Sequence, residues 1–432
     1  MEELKKAAAY AIDELLKAGA DKAQVSVSSG VGEEFNVDAG EFSLIRSVYS
    51  SGIAVKAIKD KKKGTASVNC LDKESVDSAV KECMISAEAG VPDDAVTIAA
   101  LEENEDFVDG ALKPDKAAFF DSLIRFTDDI KREFPQIMIE QLIASYSHGK
   151  HVFANSNGVL FTEEDGSYSV GVMYSAHDGD TATSFNSFDI DFLDPNTVIM
   201  DTDLPRIMFN RAIKELEAKS YEGKFRSTAV FSPSCLSDFI SIIEGSFTGD
   251  FALIEGTSPW KDKLGQKVAS DCFTLSVIPN DKRIVCGEKI TSDGYKSQNF
   301  DIIKNGVLKS FCLSEYAANR TGLTRAKSSS GAIEVIPGDT ALEDIIKNID
   351  KGILVCRFSG GEPSNNGDFS GVAKNSFLIE NGKITDALTE TMISGNFADM
   401  LNSIEAISRE TVTDGSCVLP YVAFGGVTVS GK

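Results

Sequence analysis

The chain has 432 residues, about three times the length of a typical domain of roughly 150 residues, so it has enough apolar sequence for two or three domains. It carries 43 Lys and Arg against 66 Asp and Glu, and the net charge of −23 would repel a phosphate backbone, which argues against direct nucleic-acid binding. No run of about 18 apolar residues is present, and the N-terminal segment MEELKKAAAYAIDELLKAG is amphipathic with acidic residues rather than signal-like. These features predict a soluble, cytoplasmic protein without a membrane-spanning helix.

The N-terminal sequence predicts a helix followed by an antiparallel meander. A helix is expected over residues 1–18, ending at Gly19, because one face carries a stripe of apolar residues: Leu4, Ala8, Ala11, Ile12, Leu15 and Leu16. Strands follow in segments rich in β-branched residues or in alternation, namely AQVSVSSG, EEFNVDAG, EFSLIRSVYSSGIAVKAIKD and KGTASVN. A second helix is expected over 73–89.

The same order then recurs. After an acidic stretch at 91–113 that we expect to be structureless, a helix is predicted over 114–134, followed by the strand-like segments QIMIEQLIASYS, KHVFANSNG and VLFTEEDGSYSVGVMYSAHDG. The sequence Asn155-Ser156-Asn157-Gly158 is a hairpin signal. A helix near 201–219 closes this part. We therefore predict one α+β domain over 1–219, with a possible internal repeat of 1–90 and 114–200.

The second half predicts mainly antiparallel strands. The polar, glycine-containing segment SYEGKFRST suggests a domain boundary. Beyond it lie a strand, STAVFS, and a helix over 233–245, and the pairs Asn305-Gly306 and Asn381-Gly382 predict two further hairpins. The predicted fold class is α+β, with an N-terminal helix-plus-antiparallel-meander domain and a mainly antiparallel β-rich domain over 220–432.

The eight cysteines are scattered without CxxC spacing, which predicts reduced core residues rather than disulfides or a structural zinc site. Cys235 stands at the start of the predicted helix at 233–245, where a helix N-terminus favours a thiolate. A cysteine hydrolase would also need a histidine base. The sequence identifies no such partner, so a buried structural cysteine is the preferred interpretation.

Three histidines limit any mechanism that depends on imidazole. His148 and His151 flank a predicted hairpin without a carboxylate or third ligand of suitable spacing, and we interpret them as exposed turn residues rather than metal ligands. His177 belongs to a polar turn that lacks the remaining ligand positions of a calcium loop.

Several blocks of the second half, in matching order, resemble the TldD/PmbA family. The segment 352–384 contains a glycine-rich loop whose most distinctive part is Gly367-Asp368-Phe369-Ser370, and Ser394-Gly395-Asn396 with Met400 resembles the block that follows. The segment TSDGYKSQNFDIIKNGVLKSFCLSEYAANRTGL is similar to the unit that precedes the loop, and SGIAVKAIKDKKKGTAS to a hairpin of the N-terminal domain.

This family pairs a metal-bearing peptidase subunit with a metal-less sister, and the resemblance implies the sister. The peptidase branch carries HExxxH on a helix of the second half, where two imidazoles bind metal and Glu activates water. Aligned on Gly249-Asp250-Phe251, this chain has Ile240 and Gly245 at the histidine positions and Ser241 at the glutamate position. Thr411 stands near the position of a cysteine ligand. The resemblance thus implies a PmbA/TldE-like chain without catalytic residues, metal or cofactor of its own, and zinc in a TldD-like partner.

The function implied by this resemblance is that of a metal-free subunit of a metallopeptidase complex that degrades or matures short unfolded peptides. A candidate groove for the peptide or the partner consists of Ser359, Gly360, Gly361, Asn366, Gly367, Asp368, Phe369 and Ser370. The chain alone is expected to form a homodimer, because a surface adapted to a homologous sister also suits itself. Two alternatives stay open: a peptidase in its own right with an unrecognised metal or cysteine site, and a regulatory binding protein of the gyrase-modulator type.

Overall fold

The structure is a computed structural model that describes residues 1–361 and 363–431. The first part of the chain forms an eight-stranded sheet with the order β3-β2-β1-β5-β6-β4, and β7 and β8 also pair with β6. The strands of this sheet are β1 (Lys22–Asp38), β2 (Glu41–Lys59), β3 (Lys62–Val68), β4 (Glu105–Gly110), β5 (Ile137–Asn155), β6 (Leu160–Asp178), β7 (Thr181–Ala182) and β8 (Asn186–Phe192).

Two antiparallel meanders, β1-β2-β3 and β5-β6-β8, make up most of this sheet, and they join through the antiparallel pair β1 and β5. Each meander lies between two helices in the chain order. The helices are α1 (Glu2–Lys17), α2 (Lys73–Ala89), α3 (Lys116–Glu133) and α4 (Pro205–Glu215), with a short 3₁₀ turn at Ile199–Asp201 before α4. The predicted order of helix, strands and helix is therefore present in both segments.

The apolar stripe of α1 shows how the sequence builds this core. Leu4, Ala8, Ala11 and Leu15 are buried against the first meander, as the helical spacing predicts. Leu16, assigned to the same stripe, is 41% exposed. It lies one residue past the buried face, because successive residues are about 100° apart around a helix.

Two predictions for this part are wrong. The stretch at 91–113, expected to be structureless, contains β4, which pairs in parallel with β6 from Glu105↔Phe161 to Gly110↔Gly166. AQVSVSSG and EEFNVDAG, predicted as separate strands, form the single strand β1, because a continuous ladder with β2 and β5 satisfies the backbone through Gly30 and Gly32.

The second part forms a fourteen-stranded sheet, and within the described residues it shares no strand with the first. Its strands are β9 (Lys219–Ser220), β10 (Lys224–Phe231), β11 (Leu275–Val277), β12 (Phe300–Lys304), β13 (Val307–Leu308), β14 (Ile333–Val335), β15 (Lys351–Val355), β16 (Arg357–Ser359), β17 (Asp368–Lys374), β18 (Ser376–Glu380), β19 (Lys383–Thr389), β20 (Met392–Asn396), β21 (Ile404–Thr413) and β22 (Val418–Ser430). Most pairings are antiparallel, and β10 lies between β15 and β22. The predicted α+β fold class is confirmed.

Helices cover this sheet and the loops beside it. They are α5 (Pro233–Ile242), continued by a π-helical turn at Ile243–Phe247, α6 (Asp250–Ile254), α7 (Glu315–Thr321), α8 (Leu342–Lys347) and α9 (Phe397–Asn402). The largest buried cluster lies between α5 and the strands β10, β15 and β22. No helix in the described part of the chain is long and apolar enough to cross a membrane.

Both Asn-Gly hairpins are present. Asn305-Gly306 joins β12 to β13, and Asn381-Gly382 joins β18 to β19. All four residues have positive φ, between 47° and 74°, which is the conformation of a tight turn that matches the twist of the strands. The turn at 155–158 likewise joins β5 to β6.

Candidate functional site

Helix α5 is the element on which the family's metal motif would lie. It starts immediately after β10: the Ser232 hydroxyl accepts a hydrogen bond from the Cys235 N–H at 3.5 Å, and Pro233 occupies the first turn. Leu236, Phe239 and Ile240 are at most 1% exposed and face the sheet. The opposite face carries small or polar residues, Ser234, Asp238 and Ser241, and it is exposed.

The helix was predicted to run to residue 245, but its α-helical part ends at Ile242 and a π-helical turn follows. In this turn the Thr248 N–H donates to the Ile243 carbonyl at 2.8 Å, and the Thr248 hydroxyl donates to the same oxygen at 2.7 Å. A π-turn inserts one extra residue and brings residues five apart onto one side; such turns are frequent at functional sites. Here it brings Glu244 to the wall of a cavity.

The positions aligned with the family's metal-site residues do not fit a zinc site. The Ile240 side chain is fully buried in the core. The Ser241 hydroxyl donates to the Asp238 carbonyl of its own helix at 2.6 Å, and Gly245 is exposed, with nothing within 4 Å of where a Cβ would lie. Thr411 lies at an irregularity of β21, opposite Pro420. None of these four residues carries an imidazole, thiolate or carboxylate, the ligands that zinc prefers.

The glycine-rich loop is the connection between β16 and β17, and it packs beside α5. The Phe369 ring is 5% exposed and meets the Phe239 ring edge to face at 4.9 Å. A Cβ on Gly367 would lie 3.0 Å from the Phe247 ring. The loop is therefore attached to the helix by an aromatic contact and by one close backbone approach, and Phe369 belongs to the core rather than to a surface groove.

Gly367 is buried like Phe369, and the other predicted groove residues form the rim of this loop. Asn396 donates from its amide to the Asn366 carbonyl at 3.0 Å and to the Asp368 carboxylate at 2.9 Å, so the turn is tied to β20. Hydrogen bonds from the Asn396 and Asn366 side-chain amides lower the pKa of the Asp368 carboxyl. Gly360, Gly361, Asp368 and Ser370 are exposed, and Ser359 is half-buried. The rim thus presents backbone and small polar groups.

A cavity of about 380 Å³ lies between the π-turn and the loops around α7. The Glu244 carboxyl lines it, is half-buried, and has a pKa raised to about 7 because burial removes water from its charged form. A carboxyl with a pKa near neutrality can donate or accept a proton at physiological pH. The sequence analysis did not select Glu244, because the π-turn that orients it has no signature in the residue pattern.

The other acids on the cavity wall are bound to backbone. The Asp250 carboxylate accepts from the Ser314 N–H at 2.8 Å, and the Asp293 carboxylate accepts from the Glu315 N–H at 2.7 Å. Both therefore satisfy the N-terminal amides of α7. The Arg325 guanidinium lies 3.8 Å from the centre of the Tyr295 ring, a cation–π contact. The wall combines these charged groups with apolar residues such as Phe300 and Leu313, so it suits a ligand with both polar and apolar parts.

The histidine prediction is wrong in its placement. His148 and His151 lie within β5, half-buried, rather than in an exposed turn. His148 contacts the Glu164 carboxylate at 3.0 Å, and His151 contacts the Ser26 hydroxyl at 2.7 Å. Cross-strand pairing extends β5 through Gly149 and Lys150, so these polar residues continue the strand instead of ending it.

All eight cysteines are free thiols, as predicted, but only some belong to the core. Cys70 and Cys272 are exposed, contrary to expectation, since they lie in loops that the apolar pattern does not define. Cys235 is fully buried, and burial raises its pKa well above the ordinary value, so it is a structural thiol. Among residues 1–361 and 363–431, no group of three or more His, Cys, Asp or Glu side chains could hold a metal ion.

Comparison with known proteins places these features in a family. A family model described as the PmbA/TldA metallopeptidase C-terminal domain matches residues 224–431, and one described as PmbA/TldA metallopeptidase domain 1 matches residues 23–97. The chain is 24% identical to "Metalloprotease PmbA homolog" of Haemophilus influenzae, covering 98% of this chain and 96% of that protein. It is 23% identical to "Metalloprotease PmbA" of Escherichia coli O157:H7, covering 96% and 94%.

Two solved structures share the fold along their whole length. TldE from Thermococcus kodakarensis superposes with a TM-score of 0.83 at 20% identity, covering 99% of this chain and 100% of that one. A putative modulator of DNA gyrase from Bacteroides thetaiotaomicron superposes with a TM-score of 0.86 at 25% identity, with full coverage of both chains. Because models of one family match both parts of the sequence and the relatives match it over nearly their full length, the chain belongs to the PmbA/TldD family.

Proposed function

We propose that this chain is the metal-free, PmbA/TldE-like subunit of a metallopeptidase complex, and that a TldD-like partner supplies the zinc and the catalytic residues. The observation that carries this proposal is the helix α5 with its π-turn, where Ile240, Ser241 and Gly245 occupy the positions of the metal motif without a ligating side chain. The substrates of such a complex are short unfolded peptides. The charge of −23 favours protein and peptide partners over nucleic acid, and a cytoplasmic location belongs to the same proposal.

In this proposal the rim of the loop at 359–370 meets the peptide or the partner subunit. Its exposed glycines and backbone groups suit an extended chain, which binds mainly through backbone hydrogen bonds. Ser370 is exposed on β17, opposite Ser394 of β20, so a large side chain there would obstruct the rim without removing a core contact.

The test is a peptidase assay on an unfolded peptide, with this chain alone, a TldD-like chain alone and the two mixed, and zinc measured in each preparation. We expect activity and zinc in the partner or the mixture and stimulation by this chain. Ser370→Trp should lose the stimulation, whereas Ser78→Trp, on the exposed face of α2, should keep it. Chelator-sensitive activity and stoichiometric zinc in this chain alone would overturn the proposal. Unchanged stimulation by Ser370→Trp would remove the loop from it.

A second candidate function is a reaction catalysed by this chain itself, and Glu244 is the observation that favours it. Its carboxyl has a pKa raised to about 7 and lines the 380 Å³ cavity, which suits a proton donor or acceptor. This candidate predicts activity from the chain alone that a chelator does not remove and that Glu244→Gln abolishes. Activity that survives Glu244→Gln, or none at all in the isolated chain, would reject it.

We also propose that the chain alone forms a homodimer through the free edge of β2. Over residues 41–52 the side of β2 facing away from β1 has no strand partner among the described residues, because β3 pairs only from Ile53 onward. Ile45 and Tyr49 on this segment are 65% and 79% exposed. Free edges with exposed apolar side chains pair readily with other chains.

A two-fold antiparallel pairing of this edge suits a second copy of the chain. The two-fold axis places one residue of the segment opposite its own copy, and when this residue is Ile45, two exposed apolar side chains meet at the centre of the interface. Sedimentation equilibrium should show a dimer that Ile45→Lys converts to monomer, while Val91→Lys, at another exposed apolar position, leaves it intact. A monomeric parent chain, or a dimer that persists in Ile45→Lys, would refute this interface.

A further inference from the structure

A second, smaller pocket lies between the two sheets, on the side of α5 that faces α4. It has a volume of about 210 Å³, room for about seven water-sized atoms. One wall comes from the first part of the chain and the other from the second. The lining includes Tyr174 of β6, Asn186 of β8, Arg211 of α4, Asp238 of α5, Arg357 of β16 and Asn375 of the β17–β18 turn.

Two buried polar atoms, one in the pocket and one beside it, have no hydrogen-bond partner. The Tyr174 side chain is 0% exposed, and its hydroxyl neither donates nor accepts a hydrogen bond. The Glu215 Oε1 atom, one turn of α4 beyond Arg211, is also buried without a partner. In the described part of the chain only four buried side-chain polar atoms lack a partner, and these are two of them. Burying an unpaired hydroxyl is costly, so such a pair calls for an explanation.

The pocket also contains positive charge without an ion pair. The Arg211 guanidinium donates to the Tyr421 hydroxyl at 2.8 Å and forms no salt bridge with a carboxylate of the described residues. Burial raises the pKa of the Glu215 carboxyl to about 7, while Asn186, Arg211 and Arg357 oppose that rise. Arg357 donates to the Phe185 carbonyl at 3.3 Å and has no salt bridge either.

The donors converge from both walls. Arg211 and Tyr174 come from the first part of the chain and Arg357 from the second. The Asn375 amide donates to the Asn186 side-chain oxygen across the pocket, so the two walls touch there. Asp238 is the acid facing this group of donors, and burial raises its pKa, while Arg357 opposes the rise. Guanidinium groups with a neighbouring hydroxyl match the oxygens of a carboxylate, which accepts several hydrogen bonds at once.

We infer that the pocket bounded by Tyr174, Arg211 and Arg357 binds a carboxylate group, carried either by the C-terminus of a short peptide or by a free amino acid. A ligand carboxylate supplies the acceptor that the Tyr174 hydroxyl lacks and a direct ion-pair partner for Arg211 and Arg357, neither of which forms a salt bridge. The volume fits one terminal residue. The assignment of the carboxylate to a peptide C-terminus rests on the proposed function, whereas the binding of a carboxylate does not.

The test uses the full chain without any partner subunit. Calorimetric titration compares three probes: N-acetyl-alanyl-alanine with a free carboxylate, the same dipeptide as its C-terminal amide, and free alanine. We expect the free acid to bind at least about tenfold more tightly than the amide, because a charged acceptor is lost. Tighter binding of the peptide acid identifies a peptide C-terminus as the ligand, and tighter binding of alanine identifies the amino acid.

Two variants examine the residues. Tyr174→Phe removes only the unpaired hydroxyl and should weaken binding of the acid about tenfold, while the thermal midpoint stays the same or rises. Arg357→Gln should weaken it similarly. Tyr316→Phe and Arg125→Gln, matched changes at exposed positions elsewhere, should leave binding unchanged.

Equal binding of acid and amide, no binding of either acid at millimolar concentration, or unchanged binding by Tyr174→Phe would overturn the inference. Failure of the peptidase mixture to show activity would refute the proposed function and leave these binding results intact, since they require no partner.

Discussion

Replacing Glu244 by glutamine is the most direct perturbation of the π-turn, because it removes the charge and keeps the shape. Glu244 is half-buried on the cavity wall, and burial is the cause of its raised pKa. In the unfolded chain the same carboxyl is in water and ionises at its ordinary value of 4.5. The Glu244 carboxyl therefore ionises less readily in the native state than in the unfolded state, and its ionisation lowers the free energy of unfolding.

The sign and the pH window follow from these two values. Below pH 4.5 the carboxyl is protonated in both the native and the unfolded state, so it does not lower the free energy of unfolding. As the pH rises from 4.5 through about 7, the unfolded state ionises first and the free energy of unfolding falls. Above pH 7 the carboxyl is ionised in both states and this loss is complete. The two pKa values differ by about 2.5, and each unit corresponds to about 1.4 kcal/mol, so the loss is at most about 3.5 kcal/mol. Partial exposure to solvent reduces it to about 1 to 3 kcal/mol. Glu244→Gln should therefore stabilise the protein by this amount at pH 8 and leave it unchanged near pH 4.5.

Urea unfolding of the parent and the variant at pH 5 and pH 8 measures the difference. Glu222→Gln, at an exposed position before β10, is the matched control and should show no pH-dependent gain. Thermal midpoints should rise by a few degrees at pH 8 only. A variant that is less stable than the parent at pH 8, or one whose effect is the same at both pH values, would show that the carboxylate has a favourable partner and would refute the reasoning.

Three further predictions concern packing, turns and thiols. Phe239→Ala removes a ring that contacts four other phenylalanines at centroid distances of 4.9–5.3 Å, and it should lower the free energy of unfolding by about 3–5 kcal/mol. Phe251→Ala, at a 71% exposed position, should change this free energy little. Equal effects of the two variants in urea unfolding would contradict the assigned core. Gly306→Ala should cost about 1–3 kcal/mol, because φ is 74° and the new Cβ would lie 2.4 Å from a backbone oxygen; a neutral variant would show that the turn rearranges. Cys70 should react with a thiol reagent in the native state and Cys235 only on unfolding, as peptide mapping would show, and early labelling of Cys235 would argue against its burial.

Local signals in the sequence predicted much of the secondary structure. Helix α2 has the predicted bounds 73–89, because its amphipathic pattern begins at Asp72, whose side chain accepts from the Ser75 N–H at 3.0 Å. The Asn-Gly pairs predicted their hairpins because they adopt positive φ at low cost. Strand β4 escaped prediction because its pairing with β6 is parallel and distant in sequence, and the residues of such an edge strand, EDFVDG, carry no alternating apolar pattern.

The candidate site divides in the same way. The absence of ligating side chains at Ile240, Ser241 and Gly245 is a property of the sequence. It can be recognised once the resemblance to the family allows these positions to be aligned with the metal motif. The loop was predicted as a groove, but the burial of Phe369 against α5 depends on residues more than a hundred positions apart, which no local pattern encodes.

The sequence by itself determined the α+β fold class and the lack of an imidazole on α5, because periodicity, turn residues and residue identity act locally. Only the tertiary structure decided which polar groups are deprived of water. The π-turn exposes Glu244 to a cavity, and the meeting of the two sheets buries Tyr174 and Glu215 beside Arg211. Desolvation depends on every element packed around a group, so it follows from the assembled fold and not from the neighbours along the chain.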